Sequence, residues 1–161
     1  PEYCKGITIE HLFNHTSGLP LLQGSKFYND IKTFGDVRDF LAAHEKLRSQ
    51  PGKSAQQNPV NYALLARLIE KKTGDSYRDY VEEKIFEPLG MENSRVYKKG
   101  WFTSVPSQST SYLRRENNQY DDLGAFPERY LEGVIGVFSN LHDMQKWLMA
   151  WQSDTKYYIK H

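Results

Sequence analysis

The chain has 161 residues, 39% hydrophobic and 25% charged, the balance of a globular protein able to enclose a core. Its 21 Lys and Arg face 20 Asp and Glu, a formal charge of +1 that supplies no concentrated basic surface for nucleic acid. No apolar run approaches the roughly 18 residues of a membrane span, and the single cysteine, Cys4, excludes an internal disulfide.

In chain order, Pro1-Glu2-Tyr3-Cys4-Lys5 lacks the apolar stretch of a signal peptide. Thr8 is placed to cap a short helix through Phe13, because its hydroxyl can accept a first-turn amide. Thr16-Ser17-Gly18-Leu19-Pro20 ends it, since glycine takes a left-handed cap and proline forbids continuation. Thr33 and Asp36 sit at capping-box spacing and predict a helix to His44 with Val37, Phe40 and Leu41 on one face. Pro51-Gly52 opens a polar stretch that ends at Pro59.

From Val60 to Lys72, Leu64, Leu65, Leu68 and Ile69 form an apolar stripe, with Gly74 as C-cap. Ser76 and Asp79 start another helix, expected to turn Tyr77, Tyr80, Val81 and Ile85 inward and to stop at Pro88-Leu89-Gly90. Residues 95–130 hold no period and predict loops with a short hairpin. The β-rich run Val134-Ile135-Gly136-Val137-Phe138 precedes a helix capped by Ser139 or Asn140 and carrying Leu141, Met144, Trp147, Leu148 and Trp151. With no repeat and no linker, one domain over residues 1–161 is expected.

Three segments carry a family resemblance. Ile7 through Pro20, ending His15-Thr16-Ser17-Gly18-Leu19-Pro20, is similar to an "iTi-hLL-HTSGLP" signature. Pro51-Gly52, Asn61-Tyr62-Ala63-Leu64-Leu65, Glu70, Thr73-Gly74 and Pro88-Leu89-Gly90-Met91 resemble a "PG…nYaLLg-iiE-vtG-sy…PLGM" run. Val137-Phe138-Ser139-Asn140 with Asp143-Met144 and Trp147 is similar to "GGvfST-eDm-kW". Their order and spacing resemble the serine β-lactamase-like family, which includes class C β-lactamases, D-alanyl-D-alanine carboxypeptidases and related esterases.

The resemblance implies a mainly α chain. It would be the helical domain of a β-lactamase/transpeptidase-like fold, with a short β-hairpin and without the flanking α/β sandwich. It also implies a periplasmic or secreted parent that binds a peptide or β-lactam-like small molecule and needs no cofactor. In the family, a serine in S-x-x-K attacks a carbonyl, a tyrosine in Y-x-N helps move the proton, and a strand K-T-G or H-x-G borders the oxyanion site.

Set against that pattern, the chain offers no catalytic residue. Its S-x-x-K match, Ser153-Asp154-Thr155-Lys156, follows the last helix with five residues to spare, not the start of an active-site helix. Lys72-Thr73-Gly74 reads as a helix end. The Y-x-N position falls on Gln57-Asn58-Pro59, where glutamine has no phenol and proline no side-chain amide. Gln57 and Asn58 remain as substrate-cleft candidates. His11 and His15 stand at i, i+4, yet zinc wants further ligands, so capped or packed histidines are expected and no metal is assigned. Glu132-Gly133-Val134-Ile135-Gly136 is a shorter, more apolar lead into Val137-Phe138 than the family carries.

Two functions are therefore expected. The first is a fragment or degenerate form of a β-lactamase-related serine hydrolase, inactive as this chain. The second is a non-catalytic, excised or engineered helical domain that serves as a scaffold or binds a partner.

Overall fold

The computed structural model describes residues 1–22, 24, 31–96, 109–122 and 131–152. A 3₁₀ turn, Glu2–Cys4, leads to α1 (Ile9–Phe13), α2 (Phe34–Ala42), α3 (Pro59–Thr73) and α4 (Tyr77–Val81). Strands β1 (Arg95–Val96), β2 (Tyr112–Arg114), β3 (Tyr120–Asp122) and β4 (Val137–Phe138) precede α5 (Leu141–Gln152).

Local chemistry accounts for the helix ends. Thr8 Oγ1 accepts the His11 amide at 3.2 Å, and His11 Nδ1 accepts the Thr8 amide in return. Thr33 and Asp36 close the same reciprocal box on α2. There the Asp36 carboxyl is held below its ordinary range by the Lys32 amide, then by the Thr33 hydroxyl and amide. Gly74 ends α3 at φ 85° and returns its amide to Glu70 O at 2.9 Å, so Lys72-Thr73-Gly74 is a helix terminus.

Among the described residues 44% are helical and 8% lie in strands, which corrects the expectation of a mainly α chain. The physical reason lies in the connections. The polar loop before Pro59 is tied by main-chain bonds to the turn after α1. Arg95 and Val96 pair antiparallel with Phe138 and Val137. The hairpin expected in the 95–130 stretch is β2–β3, with Tyr112 opposite Asp122 and Asn118 at φ 61° in its turn.

α1 and α2 both pack on α3, enclosing Leu12, Leu19, Leu22, Val37, Leu41, Val60 and Ala63. The face of α3 that sinks deepest is Val60, Asn61, Ala63 and Ala66. Leu64, Leu65 and Leu68 lie only partly buried beside it. Small residues take the central face because backbone must approach there. A Cβ on Gly133, whose φ is 80°, would stand 2.6 Å from both Ala66 Cβ and Tyr62 O.

A second core joins Val81, Phe86, Met91 and Val96, with Trp147 against it. α4 continues into a π-helical turn, Glu82–Phe86, closed by Glu87 N to Glu82 O at 2.9 Å. The extra residue per turn advances the register by about one position. Phe86 is therefore buried, and the expected Ile85 is left half-buried.

α5 is fastened by one side chain. Asn140 Oδ1 accepts the Asp143 amide at 2.8 Å, which makes Asn140 the cap. Asp143 is fully buried. Its Oδ2 accepts the Asn93 amide at 2.8 Å and the Ser94 hydroxyl at 2.9 Å. Lys146 Nζ approaches Asp143 Oδ1 at 3.4 Å and also donates to Gly90 O. Burial pushes the Asp143 carboxyl up, but the bonds from Ser94, Asn93 and Lys146 outweigh it and the net shift is downward.

Two outcomes follow from this packing. Gly133→Ala should cost about 1–3 kcal/mol in chemical denaturation, from overpacking and the left-handed backbone together. Asp143→Ala should cost about 3 kcal/mol by leaving Lys146, Ser94 and the Asn93 amide without their acceptor. Because the folded carboxyl titrates below the unfolded one, its contribution is present above about pH 4 and lost as pH falls further. The gap between wild type and Asp143→Ala should therefore narrow in unfolding curves taken at about pH 3.

Candidate functional site

The site is built where the turn after α1 meets the N-terminus of α3. Helix α1 stops because His15 takes a left-handed backbone, φ 57°, and Gly18 follows at φ 70°. A Cβ on Gly18 would lie 2.0 Å from Ser49 O, so only glycine lets the two chains touch. Three main-chain bonds then fasten the polar loop along the turn. Arg48 N reaches Gly18 O at 2.8 Å, Gly52 N reaches Thr16 O at 2.8 Å, and Gln56 N reaches His15 O at 2.9 Å.

A buried side-chain network closes the junction. Ser17 Oγ donates to Asn61 Oδ1 at 2.7 Å and accepts the Leu19 amide at 3.3 Å. Asn61 Nδ2 meets His15 Nδ1 at 3.1 Å, and the Asn58 amide donates to that nitrogen at 3.2 Å. The His15 ring stacks at 4.9 Å on Tyr62, whose hydroxyl donates to Phe13 O at 3.4 Å. Beside His15, Ser17, Arg48 and Gln56 lies a cavity of about 20 Å3, room for one water.

The two cleft candidates take different places. Asn58 is 3% exposed and caps α3. Its Oδ1 accepts the Val60 amide at 3.2 Å, and its Nδ2 donates to Pro20 O at 2.9 Å and Leu19 O at 3.4 Å. Pro59 occupies the first turn of α3, where its missing amide costs no bond. Gln57 is exposed on the loop one residue earlier. Ser153 and Lys156 lie outside the described residues.

His11 and His15 do not share a helical face, because the left-handed step at His15 follows the end of α1. Each ring serves its own hydrogen-bond network, and no group of three or more potential metal ligands occurs among the described residues.

A wider cavity of about 440 Å3 opens between Tyr77 and the segment Gly133 to Phe138. Glu132 borders it. Burial raises the Glu132 carboxyl above its ordinary range, and the charge and hydrogen bond of Glu70 raise it further, against Arg78 and Arg67. Tyr77 is raised as well, by burial and then by Glu132.

Sequence reading missed the part played by Asn61, Ser17 and Asp143. The signal for Asp143 was its N3 spacing from Asn140. Nothing local in the sequence marks Ser17 and Asn61 as partners across 44 positions.

A profile of the β-lactamase family matches residues 2–157, and the chain belongs to that family. It is 41% identical over 101 residues to penicillin-binding protein 4* of Bacillus subtilis, covering 59% of this chain and 22% of that protein. It is 28% identical over 157 residues to the D-alanyl-D-alanine-carboxypeptidase/endopeptidase AmpH of Escherichia coli K12, covering 94% of this chain and 38% of that one. Among solved structures, the octameric penicillin-binding protein homologue from Pyrococcus abyssi superposes with a TM-score of 0.75 at 25% identity. That match covers 94% of this chain and 36% of the other. The chain thus spans well under half the length of these relatives. The neighbours are whole β-lactamase and penicillin-binding-protein folds, which again corrects the expectation of a helical domain set apart from its sandwich.

Asn58→Ala should cost about 1–2 kcal/mol through loss of the cap and of its bonds to the 19–20 carbonyls. Gln57→Ala should stay within about 0.5 kcal/mol of wild type. Urea titrations of the two variants side by side check the contrast.

Proposed function

We propose that this chain is a degenerate relative of β-lactamase-like serine hydrolases that performs no acyl transfer as it stands. The observation that carries the reading is the fate of Gln57-Asn58-Pro59. The resemblance places the proton-carrying phenol at Gln57, whose side chain has no proton to exchange near neutral pH. The other two motif positions are occupied by helix initiation, Asn58 as buried cap and Pro59 as first-turn residue. An unassisted serine hydroxyl is a weak nucleophile. Gln57, exposed on the loop, and the neighbouring Asn58 are the substrate-cleft candidates for a peptide or β-lactam-like ligand. The D-alanyl-D-alanine carboxypeptidase among the relatives supports that ligand class for the parent protein.

Intact-mass spectrometry after incubation with a penicillin and with a fluorophosphonate probe tests the reading. Unmodified protein is expected with both reagents. A stoichiometric adduct would overturn the proposal, and its position would identify the nucleophile.

A second reading, a non-catalytic module that binds a partner, is favoured by α5. Leu141, Met144, Leu148 and Trp151 recur at a 3-4-3 spacing and are 89%, 39%, 57% and 73% exposed. Such a stripe on a helix marks an interaction face. Sedimentation across a concentration series, with Leu148→Glu as control, reads whether that face takes a second copy. A monomer at every concentration would remove this support.

A further inference from the structure

The junction between the turn after α1 and the N-terminus of α3 hangs on one nitrogen. His15 Nδ1 lies 3.2 Å from the Asn58 amide, a backbone donor whose hydrogen is fixed in direction. Because that donor requires a lone pair on Nδ1, Asn61 turns its Nδ2 to the ring at 3.1 Å and its Oδ1 to the buried Ser17 hydroxyl at 2.7 Å. Both neighbours of Nδ1 are donors. The nitrogen must therefore carry a lone pair, and the ring proton must sit on Nε2.

We propose that His15 is a positioning residue that holds the 56–58 loop only as the neutral imidazole, releasing it when the ring takes a second proton. The proposal goes beyond the acyl-transfer reading and stands whether or not that reading holds.

The chemistry is a matter of donors and acceptors. Protonation turns Nδ1 from an acceptor into a donor and sets three N–H groups against one another. Both existing bonds are lost, and the buried Asn61 amide is left without a partner. The ring sits beside the N-terminus of α3.

The groups that face the ring come from three elements. Arg48, across the small cavity, brings a second positive charge from the polar loop. Tyr62 on α3 stacks on the ring face. His11, one turn earlier, directs its own Nδ1 to the Thr8 amide. Ser17, Gln56, Asn58 and Asn61 are uncharged.

The link to the loop is direct. His15 grips it at two successive points, through its carbonyl to Gln56 N at 2.9 Å and through its ring to Asn58 N. Gln57 is the residue between those two grips.

A pair of variants separates this role from packing alone. In His15→Asn, the side-chain carbonyl oxygen falls where Nδ1 was and accepts the same donors without titrating. Asparagine also tolerates the left-handed backbone that His15 adopts at φ 57°. In His15→Gln, the carbonyl moves one bond further out and leaves the δ position.

Thermal unfolding of the full chain at about pH 7.5 and about pH 5 spans the histidine range. On acidification the wild type should lose about 3 °C more than His15→Asn, the size of a hydrogen-bond change in a chain of this length. At the higher pH, His15→Gln should melt below His15→Asn. Parallel pH profiles for wild type and His15→Asn would overturn the proposal, as would equal melting of the two variants.

Nitrogen-15 NMR of the imidazole near pH 7.5 gives a reading that needs no variant. A proton on Nε2 is expected, and a proton on Nδ1 would overturn the assignment.

Discussion

The described fold depends on a contact between two stretches that carry little hydrophobic surface. The turn at 15–18 and the loop at 48–58 are polar, and neither could hold its place by burial. What holds them is backbone: three amides of the later stretch bond to three carbonyls of the earlier one. The contact is possible because Gly18 has no Cβ to strike Ser49 O. Once made, it places Asn58 at the head of α3 and lets Asn61, one turn in, reach Ser17 and His15. Ser17, Asn58 and Asn61 each bond across to the other stretch, so the network is satisfied only when both are in place. The register of α3 against α1 follows from that requirement.

The far end of the chain solves a similar problem with charge. α5 buries little of its own apolar surface among the described residues, and Leu141 and Trp151 face outward. Asp143 supplies what packing does not. A fully buried carboxylate is costly unless every lone pair is matched, and here an amide, a hydroxyl and an ammonium group meet it. The bonds to Asn93 and Ser94 connect α5 to the segment just before β1. The β1–β4 pairing and the helix are therefore set together.

What the sequence made legible was local. Thr8, Thr33 with Asp36, Ser76 with Asp79 and Gly74 act within a turn of themselves, so spacing alone revealed them. The leucine stripe of α3 was visible, yet its depth was not. Hydrophobicity ranks Leu65 above Ala66, whereas close approach of Gly133 gives the centre to alanine. Phe86 was hidden for a different reason, since a period of 3.6 presumes an α-helix and the π turn at Glu82–Phe86 shifts the phase. His15 and Asn61 stand 46 positions apart, and no pattern in one stretch announces the other. The helix content was overstated because a loop tied down by its backbone looks, in composition, like one that is merely polar.

At segment 57–59 the demands of helix initiation fall on the positions that the resemblance aligns with Y-x-N. A Y-x-N motif requires two side chains, a phenol and an amide, free to face a ligand. In this chain Pro59 is already the first residue of the helix. Asn58 turns inward to cap it, and Pro59 supplies a preset φ with no amide to satisfy. A side chain that bonds Val60 N, Pro20 O and Leu19 O at once is committed to the junction through three of its four hydrogen bonds. Burial of Asn58 stabilises the junction that His15 and Asn61 complete, so any change restoring a free side chain at that position would also loosen the start of α3. The side chains that start the helix are the ones that hold the junction, so the stability of the junction works against single substitutions at these positions.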